Sequence, residues 1–394
     1  MYRRQILKMF GAASVASLSG RLFAAPSAAG KLLLVFLRGG YDAANLLVPV
    51  GSDMYYESRP NIAIARPSAD PDSAIPLTGD WALHPVLRDT IYPLFVSGQA
   101  LFIPFAGTHD LSRSHFETQD SIELGQDGTH RSNLRSGFLN RLAAVLNGAV
   151  PISFTTQLPL IFQGNVDVPN TALRSLAKPA LDARQSKVIA EMYRNTALAR
   201  QVSDGFSLQD TVTREMMEEM EKVNRAAIST RGFELEARRI ARLMREKFNL
   251  GFIDIGGWDT HVGQGGASGF LAGRLDELGR SLAAFAQELG AEWRNTVVVV
   301  MSEFGRTFRE NGNRGTDHGH GSVFWVLGGA VQGGTIKGEQ VPVNAKSLFQ
   351  NRDYPVLNEY RAVLAGLFAQ MYGLSASRID TVFPAVRPQQ LGLV

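Results

Sequence analysis

The stretch TVVVVMSEFGRTFRENGNRGTDHGHG, Thr296 to Gly321, decides the fold. Four valines and a methionine run without interruption into Ser302, Glu303, Phe304 and Gly305, and a polar loop then delivers Asp317, His318 and His320. An unbroken run of this kind reads as a strand buried on both faces of a parallel sheet. In open α/β sheets, ligands gather where such strands end, so a carboxylate followed by two histidines marks a candidate site.

Similar runs lie on either side of this stretch. KLLLVFLRGG (31–40), ALFIPFAG (100–107), PLIFQG (159–164), NLGFIDIGG (249–257) and SVFWVLGG (322–329) each read as an apolar strand stopped by glycine. They alternate with helix-like segments, which predicts an α/β fold with a mainly parallel central sheet flanked by helices. Between residues 175 and 250 the composition shifts to charged helix formers, predicting a helical insertion or cap. Its Met216, Met217 and Met220 read as core packing. No internal repeat or low-complexity linker interrupts the chain, so residues 30–394 read as one domain.

The first 29 residues stand apart. Arg3 and Arg4 precede Ile6, Leu7 and Lys8, a short weakly apolar stretch and small residues suited to cleavage, the pattern of a twin-arginine export signal. It predicts an exported, periplasmic protein. The chain has no cysteine, which excludes disulfides and thiolate metal sites. A net charge of +3, drawn partly from the basic signal, gives no argument for nucleic acid. No apolar run approaches the roughly 18 residues that cross a bilayer.

Chemistry-bearing residues cluster after the strands. LRGGYDAANLLVP carries Asp42, a residue type that also caps helices. THDLSRSHFETQDSIELG carries Arg113, Ser114 and His115; Ser114 with Glu117 three residues on forms a capping box. A helix N-terminus also favours an anion, which Arg113 could grip in bidentate fashion, and a serine there can attack as well as cap. IDIGGWDTHVGQGG carries Asp259 and His261, which an irregular glycine-rich loop can turn toward one point. With Glu303, Asp317, His318 and His320 these are oxygen and imidazole ligands of the kind zinc, manganese or iron accept.

The motifs VFLRGGYDAANLLVP, YYESRPNIAI, ALHPVL, SRSHFETQD, GGWDTH and SEFGRT…DHGHG, in that order, resemble the exported bacterial family known as domain of unknown function 1501. The resemblance spans the whole mature chain and implies an alkaline-phosphatase-like three-layer sandwich, related to the alkaline phosphatase and sulfatase superfamily. By that relation Asp42 stands where a metal-ligating aspartate follows the first strand, and Ser114, or next Ser112, where a nucleophile sits. Asp259 and His261 stand where one metal is held, at a shorter spacing than usual. Glu303, Phe304 and Gly305 stand where Asp-His-Gly is the rule, so a carboxylate is kept and an imidazole lost. His320 or His318 stands where the last ligand falls, and His115 or His318 could replace the lost one.

These readings predict a metal-dependent hydrolase of small anionic phosphate or sulfate esters, using one or two divalent ions, with Ser114, Arg113 and His115 as the expected catalytic group. Asp42, Asp259, His261, Glu303, Asp317, His318 and His320 form its metal set. Phe304 favours the alternative, a non-catalytic binding or assembly protein on the same fold; another metalloenzyme reaction is the third class.

Overall fold

The computed structural model describes residues 30–126, 135–173, 183–207 and 232–394. The export signal read in residues 1–29 and Met216, Met217 and Met220 lie outside them.

A seven-stranded sheet runs in the order β10-β5-β9-β8-β1-β7-β6. Its members are β1 (Lys31–Leu37), β5 (Ala100–Gly107), β6 (Pro151–Ser153), β7 (Leu250–Ile255), β8 (Thr296–Ser302), β9 (Ser322–Leu327) and β10 (Asn358–Glu359). A small antiparallel sheet joins β2 (Leu47–Pro49), β4 (Trp81–Leu83) and β3 (Ile75–Thr78). In the large sheet β1 is central, parallel to β8 from Lys31↔Thr296 to Leu37↔Ser302 and to β7 from Leu32↔Leu250 to Leu37↔Ile255.

The uniformly apolar composition of β1 follows from its having a core on each face. Leu33, Val35 and Leu37 point into one cluster with the helices Phe233–Glu246 and Phe270–Leu289 and the small sheet. Leu32, Leu34 and Phe36 point into the other, with the helices Phe138–Val145, Tyr360–Tyr372 and Ala376–Val382. Each such side chain contributes about 1.5–3 kcal/mol on burial. The expected architecture, a mainly parallel sheet between two helical layers, is the one the chain adopts.

One expectation, the PLIFQG strand, needs correction, and two others gain detail. SVFWVLGG forms a strand, but β9 runs antiparallel to both β5 and β8. PLIFQG is no strand: Leu160–Phe162 is a 3-10 turn after Pro159. Ile161 and Phe162 bury themselves in the second core, and the Ile161 N–H is held by Glu123 Oε2 at 3.0 Å rather than by a neighbouring strand. The segment read as an insertion to residue 250 ends in the helix Phe233–Glu246, a member of the helical layer packed in the first core. No helix among the described residues is long and apolar enough to cross a membrane.

His84, beyond β4, ties the loop after His261 to the small sheet. It is fully buried; its Nε2 meets the Gly266 carbonyl at 3.1 Å and its Nδ1 the Val86 N–H at 3.3 Å. A carbonyl only accepts and an amide N–H only donates, so this pairing assigns the neutral Nε2–H tautomer. Burial holds its pKa down to about 4 from 6.5, against a smaller opposing effect of the Gly266 bond. The unfolded chain therefore takes up this proton first as pH falls. Stability should decline between pH 6.5 and about 4, by up to about 3 kcal/mol from this group, and no further below that. Denaturant midpoints measured from pH 7 to pH 4 should show the decline, shallower in His84→Gln; an unchanged slope in the variant would remove His84 as its source.

Candidate functional site

β1, β5, β7 and β8 run in one direction, so their carboxyl ends share one edge of the sheet. The loops after them deliver the site. Gly39, at φ +125°, turns the chain sharply off β1 and aims its N–H at Glu303 Oε1, 2.8 Å away. A Cβ there would lie 2.7 Å from the Asp259 nitrogen, so only glycine lets the two loops approach. Gly40, at φ +64°, lies under the Phe304 ring in the same way.

Three imidazoles converge on Asp259. His318 Nε2 lies 2.9 Å from His115 Nε2 and 3.1 Å from His261 Nε2. Asp259 Oδ1 lies 2.9 Å from His261 Nε2 and 3.3 Å from His318 Nε2, and its Oδ2 lies 3.6 Å from His115 Nε2. Ligand atoms of His115, Asp259 and His318 all fall within 4.8 Å of one another. Tetrahedral ligands at zinc–nitrogen distances stand about 3.3 Å apart, so the spacing is one a single ion can span.

Each imidazole is held from behind. His115 Nδ1 meets Glu303 Oε1 at 2.6 Å, His261 Nδ1 meets Asp317 Oδ1 at 3.0 Å, and His318 Nδ1 meets the Arg113 carbonyl at 3.0 Å. All three partners are acceptors, so Nδ1 carries the proton on every ring and Nε2 presents its lone pair to the cluster. Arg113 sits at φ +49°, an unfavourable conformation for a side-chain-bearing residue, in the segment that brings its carbonyl to His318. Three converging lone pairs repel unless a cation or added protons lie between them.

The electrostatics follow from these contacts. Its bond to Glu303 raises the pKa of His115, against burial, while burial and the neighbouring His115 lower that of His318. Burial would raise Glu303, but hydrogen bonds from His115, Gln119 and Ser302 outweigh it and hold the carboxyl low. Asp259 is likewise held low despite partial burial, chiefly by Arg306. Asp317 is lowered in the same sense by Asn311 and His261. The centre is open: Asp259 is 42% exposed and His261 40%.

Other members of the expected set have different neighbours. Asp42 is buried, caps the helix Ala43–Leu46 and is gripped by Arg59 through both oxygens, so it is no ligand of this cluster. Glu303 and Asp317 act on histidine Nδ1 atoms rather than at the convergence point; Glu303 is fully engaged, its Oε2 by the Ser302 hydroxyl at 2.8 Å. His320 stacks on Phe349 at 5.0 Å, and burial holds its pKa down to about 4. Arg113 spends one guanidinium nitrogen on Asp353, its Nη2 donating to Oδ2 at 2.7 Å. Ser114 occupies the N-cap position of the helix His115–Leu124, yet its hydroxyl makes no capping bond, so the expected capping box does not form. Phe304 packs on His115 and His318 at 4.9 and 5.1 Å, an apolar wall where a further imidazole was missed.

The model of the family described as protein of unknown function (DUF1501) matches residues 29–383. The chain belongs to the DUF1501 family. No curated protein matches it. Among solved structures it is similar to Ps i-CgsB in complex with k-i-k-neocarrahexaose, at 10% identity and a TM-score of 0.35 over 89% of this chain and 73% of that one. It is also similar to a 2-O GAG sulfatase, at 10% identity and a TM-score of 0.37 over 92% and 75%. Likeness at that level bears on neither the activity nor the substrate of this DUF1501 chain.

Three residues that sequence reading did not single out complete the DUF1501 site. Arg306, with no exposed side-chain surface, donates to Asp259 Oδ1 at 2.5 Å and to Thr316. Asn311 bridges Asp317 Oδ1 and the His261 carbonyl, both at 3.0 Å. Gln119 donates to Glu303 Oε1 at 2.8 Å. Arg306 lies inside the quoted SEFGRT and Gln119 inside SRSHFETQD, but only the assembled loops reveal their partners.

Proposed function

We propose that this DUF1501 chain is an exported metal-dependent hydrolase of phosphate or sulfate esters, with one divalent ion held by His115, His318 and Asp259 and with His261 beside them as a further imidazole donor. The observation that carries this reading is the convergence of three Nε2 lone pairs on one carboxylate, each ring fixed through Nδ1. Three imidazoles and a carboxylate are a donor set zinc, manganese or iron accepts. One ion rather than two is supported because Asp42 and Glu303 already have their oxygens engaged and Phe304 walls the remaining side.

When bound, the ion supplies Lewis-acid polarisation of an ester oxygen. The chain's own residues do the rest. Glu303, Asp317 and the Arg113 carbonyl keep the protons on Nδ1 and the rings oriented. Arg306 keeps Asp259 ionised and in place. Ser114, free of a capping bond at a helix N-terminus, offers its hydroxyl as nucleophile, while first-turn N–H groups and the positive helix end receive the anion's oxygens.

The experiment is turnover of 4-nitrophenyl phosphate and 4-nitrophenyl sulfate by zinc- or manganese-loaded protein recovered from the periplasm. Recovery from the cytoplasm alone would remove the exported part of the reading. Ser114→Ala should abolish turnover with metal content unchanged. Its stability should change by less than the ~1 kcal/mol typical of losing a cap, because no cap bond exists to lose. Phe304 supports a second reading, ligand binding without turnover; a fully loaded protein inert toward both esters would favour it over hydrolysis.

A further inference from the structure

The carboxylate behind His115 is itself controlled from further back, by Arg38. Arg38, one residue past β1, has donors on all its guanidinium nitrogens: Nε to Asp254 Oδ2 at 2.6 Å, Nη2 to Glu123 Oε1 at 2.7 Å and Nη1 to Gln119 Oε1 at 2.7 Å. Gln119 and Glu123 are four apart on the helix His115–Leu124 and so present both acceptors to one guanidinium. Asp254 is near the end of β7. Two carboxylates on separate elements therefore fix the guanidinium plane.

That plane decides the orientation of the Gln119 amide. A guanidinium only donates, so the amide must turn its oxygen to Arg38 and its NH2 to Glu303. Glu303 Oε1 then accepts from Gln119 at 2.8 Å, from the Gly39 N–H at 2.8 Å and from His115 Nδ1 at 2.6 Å. With only acceptor capacity left on Glu303, His115 must be the donor and its Nε2 the free lone pair. A flipped Gln119 would set its carbonyl oxygen against the carboxylate and weaken the hold on His115.

We propose that Arg38 and Gln119 are positioning residues in series, which set the affinity of the centre for its cation by orienting Glu303 and thereby His115. The proposal rests on the metal reading above. Groups one step behind metal-ligating histidines typically change metal affinity about 10- to 100-fold when removed. The competing account is a purely structural hub, in which Arg38 only ties β1, β7 and one helix together.

The test is zinc affinity, measured by competition with a chelating indicator, alongside denaturant midpoints of metal-free protein. Gln119→Leu should lower zinc affinity about 10- to 100-fold with little change in the metal-free midpoint. Arg38→Met should lower it similarly, and the double variant should be no worse than the weaker-binding single, because the two act along one line. Arg38→Met could fail to fold after losing three bonds; Gln119→Leu, on a partly exposed helix position, then carries the test alone. If the parent binds zinc but Gln119→Leu binds within threefold of it, the hub is structural and this proposal falls while the metal reading stands. Losses that multiply in the double variant would likewise overturn the series arrangement. A parent that binds no zinc overturns both.

Discussion

His318→Ala and Asp259→Asn purify folded and without metal, while His320→Ala and the parent keep about one ion per chain: this is the expected outcome of elemental analysis on the four proteins. His318 is the hub of the cluster, the ring whose Nε2 lies about 3 Å from those of both other histidines. Removing it leaves His115 and His261 without the ring that stands between them, and affinity should fall by more than the roughly 100-fold ascribed to outer groups. Asp259→Asn removes the charge that balances the ion. It keeps an oxygen to accept from the wholly buried Arg306 guanidinium but supplies no countercharge, so a denaturant midpoint measured beside the metal content separates loss of metal from loss of fold. His320 was expected in the ligand set, but its ring faces Phe349, and its truncation touches no atom of the cluster. Equal metal content in all four proteins would eliminate the centre. Depletion in His320→Ala as well would mean that the ring reaches the ion after all.

Much of the frame was legible because burial on both faces leaves a simple trace. β1 and β8 need apolar residues at every position, and no other role accounts for KLLLVFL or TVVVVM. The direction of β9 was not legible, since a buried antiparallel strand writes the same pattern. Nor was PLIFQG: a short apolar run after proline satisfies a buried 3-10 turn as well as a strand. At the site, residue types and loops were legible while partners were not. Asp259, His261 and His318 lie together, yet aspartate offers the same oxygens to a metal and to an arginine, and nothing in the spacing told which Asp42 would find. His318 and His320 are two apart, but Gly319 packs against the Arg306 backbone and Gly321 against the Pro355 carbonyl, closeness that only glycine allows. That tight path sends one ring to the cluster and the other to Phe349.

Asp42 also separates the two kinds of carboxylate in this protein, and the effect expected there is on stability. Asp42 is 1% exposed and Arg59 not at all. Arg59 Nη1 donates to Asp42 Oδ2 at 2.5 Å and Nη2 to Oδ1 at 3.1 Å, while Gln264, on the loop that carries His261, donates to Oδ2 at 2.6 Å. The remaining donors of Arg59 reach the Phe308 and Thr307 carbonyls at 2.6 and 3.1 Å and Asn45 Oδ1 at 2.9 Å, so the guanidinium joins the loop after β8 to the loop after β1. Arg59→Met should therefore leave a desolvated carboxylate without its countercharge and cost about 3–5 kcal/mol in denaturant unfolding. Asp42→Asn should destabilise for the mirror-image reason, yet keep its metal, because no oxygen of Asp42 reaches the imidazole cluster. The double variant Asp42→Asn with Arg59→Met should be less destabilised than the two single losses added together, since neither unpaired charge remains. It should not return to the parent's stability, because the carbonyls of Thr307 and Phe308 lose their donor. Strict additivity would show that the pair is not coupled, and loss of metal in Asp42→Asn would return Asp42 to the ligand set. The sign of that one variant decides whether the cation that Asp42 serves is an ion or the guanidinium of Arg59.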